Sequence, residues 1–380
     1  MKCAFYFFEI AIVSIKVVNV LGVAMEIKAG FNRDSDVVGV DYTFEEFKGH
    51  HVSNRWAIVL AGGDGQRMQP AIREWFDEER PKQYCNFVGT RSMLEHTWER
   101  ASEIVMPENI LTIVVKKHRS YVQQIPEDSI PGGIVYQPDN RGTAVAIYVA
   151  LAFILGKNPN ASVIVLPSDH FIFPRSKFVD LAKKSMNLVD AWPDSINLLG
   201  AQASWPSSDY GWIEGLSECA QGCVDFNQDI KKVAAFVEKP SPSQAAALLT
   251  RGAIWSTMIF SANANFLWAQ GSLLLPKVVF SKLSYIRSVV SYLHRKEVSD
   301  SRIYSDVSGL LSFVKLPNID FSKAVLTKCA SHCHVMAMKD IEWDDWGRPE
   351  RILHTIERLR LKPNFSSSAS RKPLSAQALV

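Results

Sequence analysis

The sequence predicts an α/β fold built on a mostly parallel sheet. Short apolar runs alternate with amphipathic stretches along most of the 380 residues, as expected for strands and helices that follow one another. Three of the apolar runs end in glycine-rich or polar clusters, at residues 62–67, 137–143 and 168–170. Because ligands of such sheets bind beyond the carboxyl ends of the strands, we expect the three clusters to lie on one rim.

The individual elements follow from the spacing of apolar residues. The expected strands are Trp56–Ala61, Ile110–Val115, Gly133–Gln137, Ser162–Leu166, Ile196–Gly200 and Val233–Val237. The expected helices are Met93–Val105, Ala144–Leu155, Ser243–Leu249 and Gly347–Leu361. Thr143 can cap the second of these helices, and Pro349 suits the first turn of the last one. Residues 265–320 mix Leu, Val and Ser with basic residues, and we expect helix there.

The composition excludes several classes of protein. A hydrophobic content of 47% and a charged content of 21% are typical of a globular protein in water. The net charge of +3 is small, and no dense stripe of Lys and Arg indicates nucleic-acid binding. Six scattered cysteines are too few for a disulfide scaffold and fit a reducing compartment. The Cys219/Cys223 and Cys329/Cys333 pairs are spaced more widely than a usual zinc knuckle, which favours incidental or buried thiols over a metal site.

The two ends of the chain differ from its middle. Residues 3–24 are mostly apolar, but Glu9 and Lys16 interrupt them, and no span of about 18 apolar residues exists. We therefore favour a translation start at Met25, or a dispensable extension, over a signal peptide or membrane anchor. The Ser-rich residues from Lys362 onward are predicted to be disordered. The expected organisation is an N-terminal extension over 1–50, a main domain over 51–361 and a tail over 362–380.

The most informative motif follows the first expected strand. It reads Leu60-Ala61-Gly62-Gly63-Asp64-Gly65-Gln66-Arg67-Met68, and Pro81-Lys82-Gln83 follows after a short stretch. Glycines let backbone N–H groups approach an anion, while arginine and lysine bind phosphate oxygens. These features indicate a nucleoside triphosphate held against the loop. The loop lacks the third glycine of a dinucleotide fingerprint, and the chain contains no P-loop. A glycine-rich turn with nearby surface charges is the alternative interpretation of this motif alone.

Further motifs occur in a recognisable order. With the glycine loop, the segments are Leu60–Arg67, Arg80–Tyr84, Gln137–Ala144, Leu166–His170, Asp209–Glu214, Phe236–Pro240, Gly252–Thr257, Leu316–Lys323 and Trp343–Gly347. Each is weak alone, but their joint order is specific. The chain resembles the nucleotide-sugar pyrophosphorylase family, and most closely its mannose-1-phosphate guanylyltransferase branch, from about residue 55 to residue 360.

The resemblance implies a fold and a reaction. The fold is a Rossmann-like three-layer α/β/α sandwich with a mixed, mostly parallel sheet. The reaction transfers a guanylyl group from GTP to mannose 1-phosphate in the cytoplasm, giving GDP-mannose and pyrophosphate with Mg²⁺ as cofactor. The attacking phosphate oxygen is already an anion, so the work is positioning and charge neutralisation. No nucleic-acid or membrane partner is implied, and a homodimer is left open.

The resemblance also implies roles for individual residues. Arg67 would contact the triphosphate, and Lys82 would neutralise charge around the α-phosphate. Glutamine offers both a donor and an acceptor to a purine edge, and carboxylates suit Mg²⁺. The nucleotide-binding residues would be Gly62, Gly63, Gln137, Gly142 and Thr143; the sugar phosphate-binding residues Gly211, Glu238, Lys239 and Ser256; and the metal ligands Asp169 and Asp345.

Some choices stay open at this point. Asp344 is the alternative to Asp345 as a ligand, and His170 receives no catalytic role. The family often has threonine at the position of Gln66 and asparagine at the position of Ser256, so phosphate and sugar contacts can differ. The alternatives to the guanylyltransferase are another pair of sugar 1-phosphate and nucleotide, such as glucose 1-phosphate with UTP, and a non-catalytic sensor of nucleotide sugars. The presence of all the charged motif residues disfavours the sensor.

Overall fold

The computed structural model describes residues 11–18, 24–31, 40–45, 54–219, 230–295, 303–304 and 316–365. Expectations for the remaining residues stay predictions. The chain divides into two compact units, Met1–Val52 and Ser53–Val380. The first unit contains β1 (Ala11–Val18), β2 (Ala24–Phe31) and β3 (Val40–Glu45), which pair in that order in an antiparallel sheet.

The second unit is built on a ten-stranded mixed sheet. The described strands of this unit, in chain order and including two outside the large sheet, are β4 (Arg55–Ala61), β5 (Ile110–Val115), β6 (Gly133–Gln137), β7 (Ser162–Pro167), β8 (Phe171–Phe173), β9 (Ile196–Ala201), β10 (Gly211–Cys219), β11 (Ile230–Glu238), β12 (Ile254–Asn263), β13 (Ile303–Tyr304), β14 (Cys333–Ala337) and β15 (Glu342–Asp344). The order across the sheet is β10-β11-β14-β9-β12-β7-β4-β5-β6-β13, and β10 also pairs with β12. Strands β8 and β15 form a separate antiparallel ribbon.

The sheet is parallel in one part and antiparallel in another. Within the described ranges, the parallel pairs are β4–β5, β5–β6, β4–β7, β6–β13 and β9–β14. The antiparallel pairs are β7–β12, β9–β12, β10–β11, β10–β12 and β11–β14. The expected α/β fold with a mixed sheet is confirmed. Its antiparallel share is larger than expected, because β12 runs opposite to both neighbours in the sheet order.

The helices of the described chain are α1 (Gln69–Phe76), α2 (Met93–Ile104), α3 (Arg119–Val122), α4 (Gly142–Lys157), α5 (Arg175–Ala191), α6 (Pro242–Thr250), α7 (Ala264–Leu274), α8 (Lys277–Arg295) and α9 (Pro349–Arg358). Helix α2 begins with a capping box in which Ser92 and Glu95 satisfy each other's backbone N–H groups. Pro349 is the first residue of α9, as its fixed φ favours. No helix among these residues is long and apolar enough to cross a bilayer.

Helices cover both faces of the sheet, which gives three layers. Alternate side chains of a strand point to opposite faces. In β4, Trp56 and Ile58 pack into a core that contains most of α4, whereas Ala57 and Val59 pack into a second core with Leu94 of α2. Helix α4 is apolar on all sides because α7 and α8 cover the surface that it turns away from the sheet.

The expected elements are largely present, with four corrections. All six strands and four helices occur within a few residues of their expected bounds. The helix expected over 265–320 is confirmed only as far as α7 and α8; Ile303–Tyr304 is strand β13, residues 316–320 are not helical, and residues 296–302 and 305–315 lie outside the described ranges. The cap at Thr143 is wrong: α4 begins at Gly142, and the Thr143 hydroxyl instead accepts a hydrogen bond from the backbone N–H of Phe321 at 2.9 Å. Order also continues past Leu361, since the Phe365 ring stacks on Trp75 with centroids 4.3 Å apart. The fourth correction is the larger antiparallel share of the sheet.

Candidate functional site

Polar loops at the carboxyl ends of neighbouring strands line one cleft of about 470 Å³. The lining residues are Asp64, Gly65, Gln66, Arg67, Met68, Lys82, Asn140, Asp169, His170, Asp345 and Gly347. They come from the loops after β4, β6, β7 and β15, together with the turn that carries Lys82. The expectation that the three polar clusters share one rim is therefore confirmed. Four predicted site residues, Arg67, Lys82, Asp169 and Asp345, meet in this cleft.

The glycine loop forms one wall of the cleft. Gly65 has a positive φ of 59°, and a Cβ atom at this position would lie 3.2 Å from the backbone nitrogen of Lys82. At Gly63, no atom lies within 4 Å of the position that a Cβ atom would take. Arg67 follows in a short 3-10 turn, and its side chain is 63% exposed, with a guanidinium nitrogen 3.8 Å from Asp345 Oδ2. This wall offers backbone N–H groups and an exposed cation to an anion.

Lys82 is a buried cation at the centre of the cleft. It is only 3% exposed, although lysine is almost always at the surface. Its ammonium lies 2.9 Å from Asp169 Oδ2 and donates to the backbone carbonyl of Asp345. These contacts join segments that follow two different strands, β7 and β15. The alternative of a solvated surface lysine is excluded.

Asp169 and His170 differ in charge because of their surroundings. Burial alone would raise the pKa of Asp169, but the Lys82 ammonium and His170 outweigh it and hold the pKa below its usual value. Asp169 is therefore a carboxylate at neutral pH. Burial lowers the pKa of His170 to about 4, and Lys82 and Arg100 act in the same direction. The neutral ring accepts a hydrogen bond from Trp343 Nε1 at 3.2 Å, which is a structural contact.

The neighbours Asp344 and Asp345 face different surroundings, although Arg351 contacts both carboxyls, at 3.6 and 2.9 Å. Asp345 lines the cleft, and its Oδ1 accepts hydrogen bonds from the Tyr210 hydroxyl at 3.2 Å and from Gly347 N–H at 3.0 Å. An Arg351 nitrogen lies 2.9 Å from the same oxygen. Asp344 accepts from a backbone N–H at 2.6 Å, and burial, with the adjacent charge of Asp345, raises its pKa to about 7. Asp345 is thus the carboxylate that faces the cleft.

The residues predicted for the sugar side form a group of their own. In the pairing of β10 with β11, Gly211 lies opposite Glu238. A Cβ atom at position 211 would lie 2.7 Å from Glu238 Oε2 and 3.3 Å from Ser256 Cβ, so the three residues are in contact. The Lys239 ammonium is 3.7 Å from Glu238 Oε1. None of these residues is in the lining of the 470 Å³ cleft, but the adjacent Tyr210 reaches Asp345.

Burial raises the pKa of Glu238, and the charge of Asp320 adds to this effect, whereas Lys239 and Lys323 oppose it. Asp320 and Lys323 were not among the predicted site residues. They lie between β13 and β14 in the chain, far from β10 and β11, and their charges act on Glu238. The group therefore carries both signs of charge around a carboxyl whose side chain is only 10% exposed.

The residues predicted for base recognition lie behind the cleft rather than in its lining. Gln137 is only 2% exposed, and its Nε2 has no hydrogen-bond partner in the described ranges. Gly142 has a φ of 86°, and a Cβ there would lie 2.3 Å from the carbonyl oxygen of Ile319. Thr143 binds the backbone of Phe321. Gly142 and Thr143 therefore hold the 318–321 segment in place, and Gln137 alone retains an unpaired polar group.

Comparisons with known proteins agree with this arrangement. A family model described as nucleotidyl transferase matches residues 56–360. The chain belongs to the nucleotidyl transferase family. It is 28% identical over 307 residues to a mannose-1-phosphate guanylyltransferase of Sinorhizobium fredii, covering 79% of this chain and 54% of that protein. It is 30% identical to mannose-1-phosphate guanylyltransferase 2 of Escherichia coli O157:H7, covering 77% and 58%.

This nucleotidyl transferase spans little more than half the length of these curated relatives. Among solved structures, it is similar to one described as mannose-1-phosphate geranyltransferase from Thermus thermophilus, with a TM-score of 0.62 and 23% identity over 79% of each chain. A second, described as mannose-6-phosphate isomerase from Helicobacter pylori, has a TM-score of 0.56 and 17% identity, covering 76% of this chain and 99% of that one. At these identities the structures support the fold alone.

The donor set of the cleft of this nucleotidyl transferase fits Mg²⁺ bound together with a phosphate. Asp169 and Asp345 both line the cleft and both contact Lys82. Within the ranges that the structure covers, no three His, Cys, Asp or Glu side chains converge to hold a metal. Two carboxylates that leave the other positions to phosphate oxygens and water are the usual ligands of Mg²⁺. Cys329 and Cys333 are buried free thiols.

Sequence reasoning missed several residues that shape this site. Tyr210 and Arg351 hold the Asp345 carboxylate, and the Arg351 guanidinium also lies over the Tyr210 ring, 5.1 Å from its centroid. Gln83 binds the glycine loop through two hydrogen bonds. Gln83 was visible beside Lys82 in its motif, and Arg351 lay within the first turn of an expected helix. Nothing local in the sequence indicated which group each would meet.

Proposed function

We propose that this nucleotidyl transferase transfers a guanylyl group from GTP to mannose 1-phosphate, giving GDP-mannose and pyrophosphate. The observation that carries the proposal is the buried Lys82 ammonium, held between Asp169 and Asp345 beside the glycine loop. Two anionic esters must meet for this reaction, and a cation fixed by the Asp169 carboxylate and the backbone carbonyl of Asp345 is suited to bring them together. The names of the curated relatives support the choice of mannose 1-phosphate and of a guanylyl nucleotide.

The nucleotide would bind along the glycine loop. Gly62 and Gly63 would lie against the nucleoside, and Arg67 would contact the triphosphate from its exposed position. Because Arg67 is exposed and Lys82 is buried and fixed, we assign Lys82 to the α-phosphate and Arg67 to the leaving pyrophosphate. The buried, unpaired Nε2 of Gln137 is a donor suited to a purine edge. Gly142 and Thr143, which follow Gln137 in the chain, would support the base-binding segment through their contacts with residues 318–321.

Asp169 and Asp345 would hold Mg²⁺. When bound, the ion acts as a Lewis acid that reduces the repulsion between the two phosphates. The chain's own contribution is to keep Asp169 ionised and the Asp345 carboxylate oriented. Lys82 keeps the pKa of Asp169 low, and Tyr210 and Arg351 fix the Asp345 side chain.

The sugar phosphate would bind at the neighbouring group formed by Gly211, Glu238, Lys239 and Ser256. A carboxylate can accept hydrogen bonds from two sugar hydroxyls, and Lys239 can reach the phosphate. Ser256 favours a second candidate function, the use of a different sugar 1-phosphate, because its hydroxyl offers fewer hydrogen bonds than the amide usual in such enzymes. The use of GTP is consistent with a cytoplasmic enzyme.

The test is a panel of five nucleoside triphosphates crossed with several sugar 1-phosphates, read by pyrophosphate release with Mg²⁺ and with excess EDTA. We expect the highest rate for GTP with mannose 1-phosphate, and none with EDTA. A higher rate for another sugar 1-phosphate would support the second candidate. Release with no pair would contradict an enzymatic function and favour a sensor of nucleotide sugars.

A further inference from the structure

Side-chain amides bind four consecutive carbonyl groups of the glycine loop, those of residues 61–64. Gln83 Nε2 donates to the first and the third, at 3.0 and 2.9 Å. Asn140 Nδ2 donates to the second at 3.2 Å, and Gln69 Nε2 to the fourth at 3.2 Å. Three amide side chains thus bind every carbonyl of this stretch of the loop.

The N–H groups of the same loop have no such partners. The backbone N–H groups of residues 63–66 make no hydrogen bond to any part of the chain that the structure describes. In a trans peptide unit the carbonyl and the following N–H point in opposite directions. Fixing the carbonyls of residues 62–64 therefore points each N–H group of residues 63–65 away from the amide that binds the carbonyl of its own peptide unit. The loop is held with its donors free for an anion.

Gln83 is the best placed of the three amides. It is 2% exposed, and one NH₂ group bridges two carbonyls that are two residues apart. Its neighbour Lys82 lies against Gly65, where a Cβ atom would be 3.2 Å from the Lys82 backbone nitrogen. A single short turn, Lys82–Tyr84, therefore presents the lysine to the cleft and the glutamine to the loop.

We propose that Gln83 is a positioning residue for the nucleoside triphosphate: it holds the loop carbonyls so that the free N–H groups face the phosphates. This inference rests on the proposed nucleotidyl transfer and adds to it how the loop is shaped before the ligand arrives. The Gln83 NH₂ group has two donors on one atom, one for each carbonyl. A carboxylate would face them with acceptors, and an apolar side chain would leave both unpaired.

The test compares Gln83→Met with Gln123→Met, a control at an exposed position on the end of α3. Binding of GTP and, separately, of mannose 1-phosphate is measured by titration calorimetry, and thermal stability is recorded for each variant. We expect Q83M to weaken GTP binding by about tenfold or more, the effect of two hydrogen bonds. Mannose 1-phosphate binding should change by less than about twofold, and Q123M should match the wild type. In turnover, KM for GTP should rise more than kcat falls.

Two results would overturn the inference. One is folded Q83M that binds GTP within about twofold of the wild type; the other is parallel weakening of both ligands, which indicates a general structural role. If Q83M does not fold, Gln69→Met decides instead, with an expected loss of about threefold in GTP affinity and unchanged affinity as the contradicting result. If the wild type binds a different nucleotide, that nucleotide is used. If it binds none of the five, the proposed function and this inference are both wrong.

Discussion

Replacing Lys82 with methionine tests the central electrostatic feature of the cleft. The lysine is buried, lies 2.9 Å from Asp169 and donates to the backbone of Asp345. Methionine has a similar length and flexibility but no charge, so Lys82→Met removes the cation with little change in packing.

The structure sets the size of the expected effect. Removing one fixed group that stabilises charge in a transition state costs about 10²–10³ in kcat, or about 3–4 kcal/mol. We expect K82M to lose at least about a hundredfold in kcat. The loss in the free energy of unfolding should be only about 1–2 kcal/mol, because Asp169 is 38% exposed and regains water once its partner is gone.

The assay is pyrophosphate release with GTP and mannose 1-phosphate, together with urea unfolding of the same samples. The control is Lys177→Met, which removes an exposed lysine of α5 whose ammonium is 3.5 Å from Asp340 Oδ2. This control should keep wild-type turnover. Turnover of K82M within about threefold of the wild type, in a folded protein, would refute the assigned role.

The same variant has a specific pH dependence. The Lys82 charge lowers the pKa of Asp169, although burial acts in the opposite direction. A carboxyl with a lowered pKa stabilises the fold at every pH above the pKa that it has in the unfolded chain. This stabilisation is lost as the pH falls through the folded pKa. The difference in unfolding free energy between wild type and K82M should therefore be largest near neutral pH and shrink below about pH 4. A difference that stays constant down to about pH 3 would argue against this coupling.

Three further predictions concern Asp344, Asp345 and Phe365. Asp345→Asn should lower Mg²⁺-dependent turnover by about a hundredfold or more, whereas Asp344→Asn should keep most of it; equal losses would contradict the separate environments of the two carboxyls. Burial, with the charge of Asp345, raises the pKa of Asp344 from 3.8 to about 7, so ionisation of Asp344 destabilises the fold. Urea unfolding should therefore show D344N becoming more stable relative to the wild type as the pH rises through this range. Phe365→Ala should lower the free energy of unfolding by about 1–3 kcal/mol through loss of the Trp75 stack, and an unchanged urea midpoint would show that this contact does not stabilise the domain.

Much of the fold was predictable because its signals are local. Strands such as Ile110–Val115 are continuous apolar runs, and each is bounded by residues that end strands. The charge-bearing site residues were also predictable, since Arg67 and Asp169 lie in motifs that directly follow a strand, and Lys82 lies in the Pro81-Lys82-Gln83 motif a short stretch after the glycine loop. The position of β12 was not predictable. Its antiparallel insertion between β7 and β9 depends on pairing with strands far away in the chain.

Thr143 illustrates why local rules can fail. A threonine before an apolar helix is a good capping residue, but here its hydroxyl binds the backbone of Phe321, 178 residues away. Helix α4 therefore begins earlier, without a side-chain cap. The tertiary contact outweighs the local preference because both compete for the same hydroxyl.

The sequence by itself determined which chemical groups this nucleotidyl transferase possesses and which of them follow strands, because residue type and apolar spacing are properties of neighbours in the chain. Only the tertiary structure decided which group meets which. It buried Lys82 between the Asp169 carboxylate and the Asp345 backbone carbonyl, brought Tyr210 to Asp345 across 135 residues, and set three amides against the glycine loop. Such contacts depend on how the sheet and its loops pack, and a hydrogen bond formed between distant residues leaves no periodic trace in the sequence.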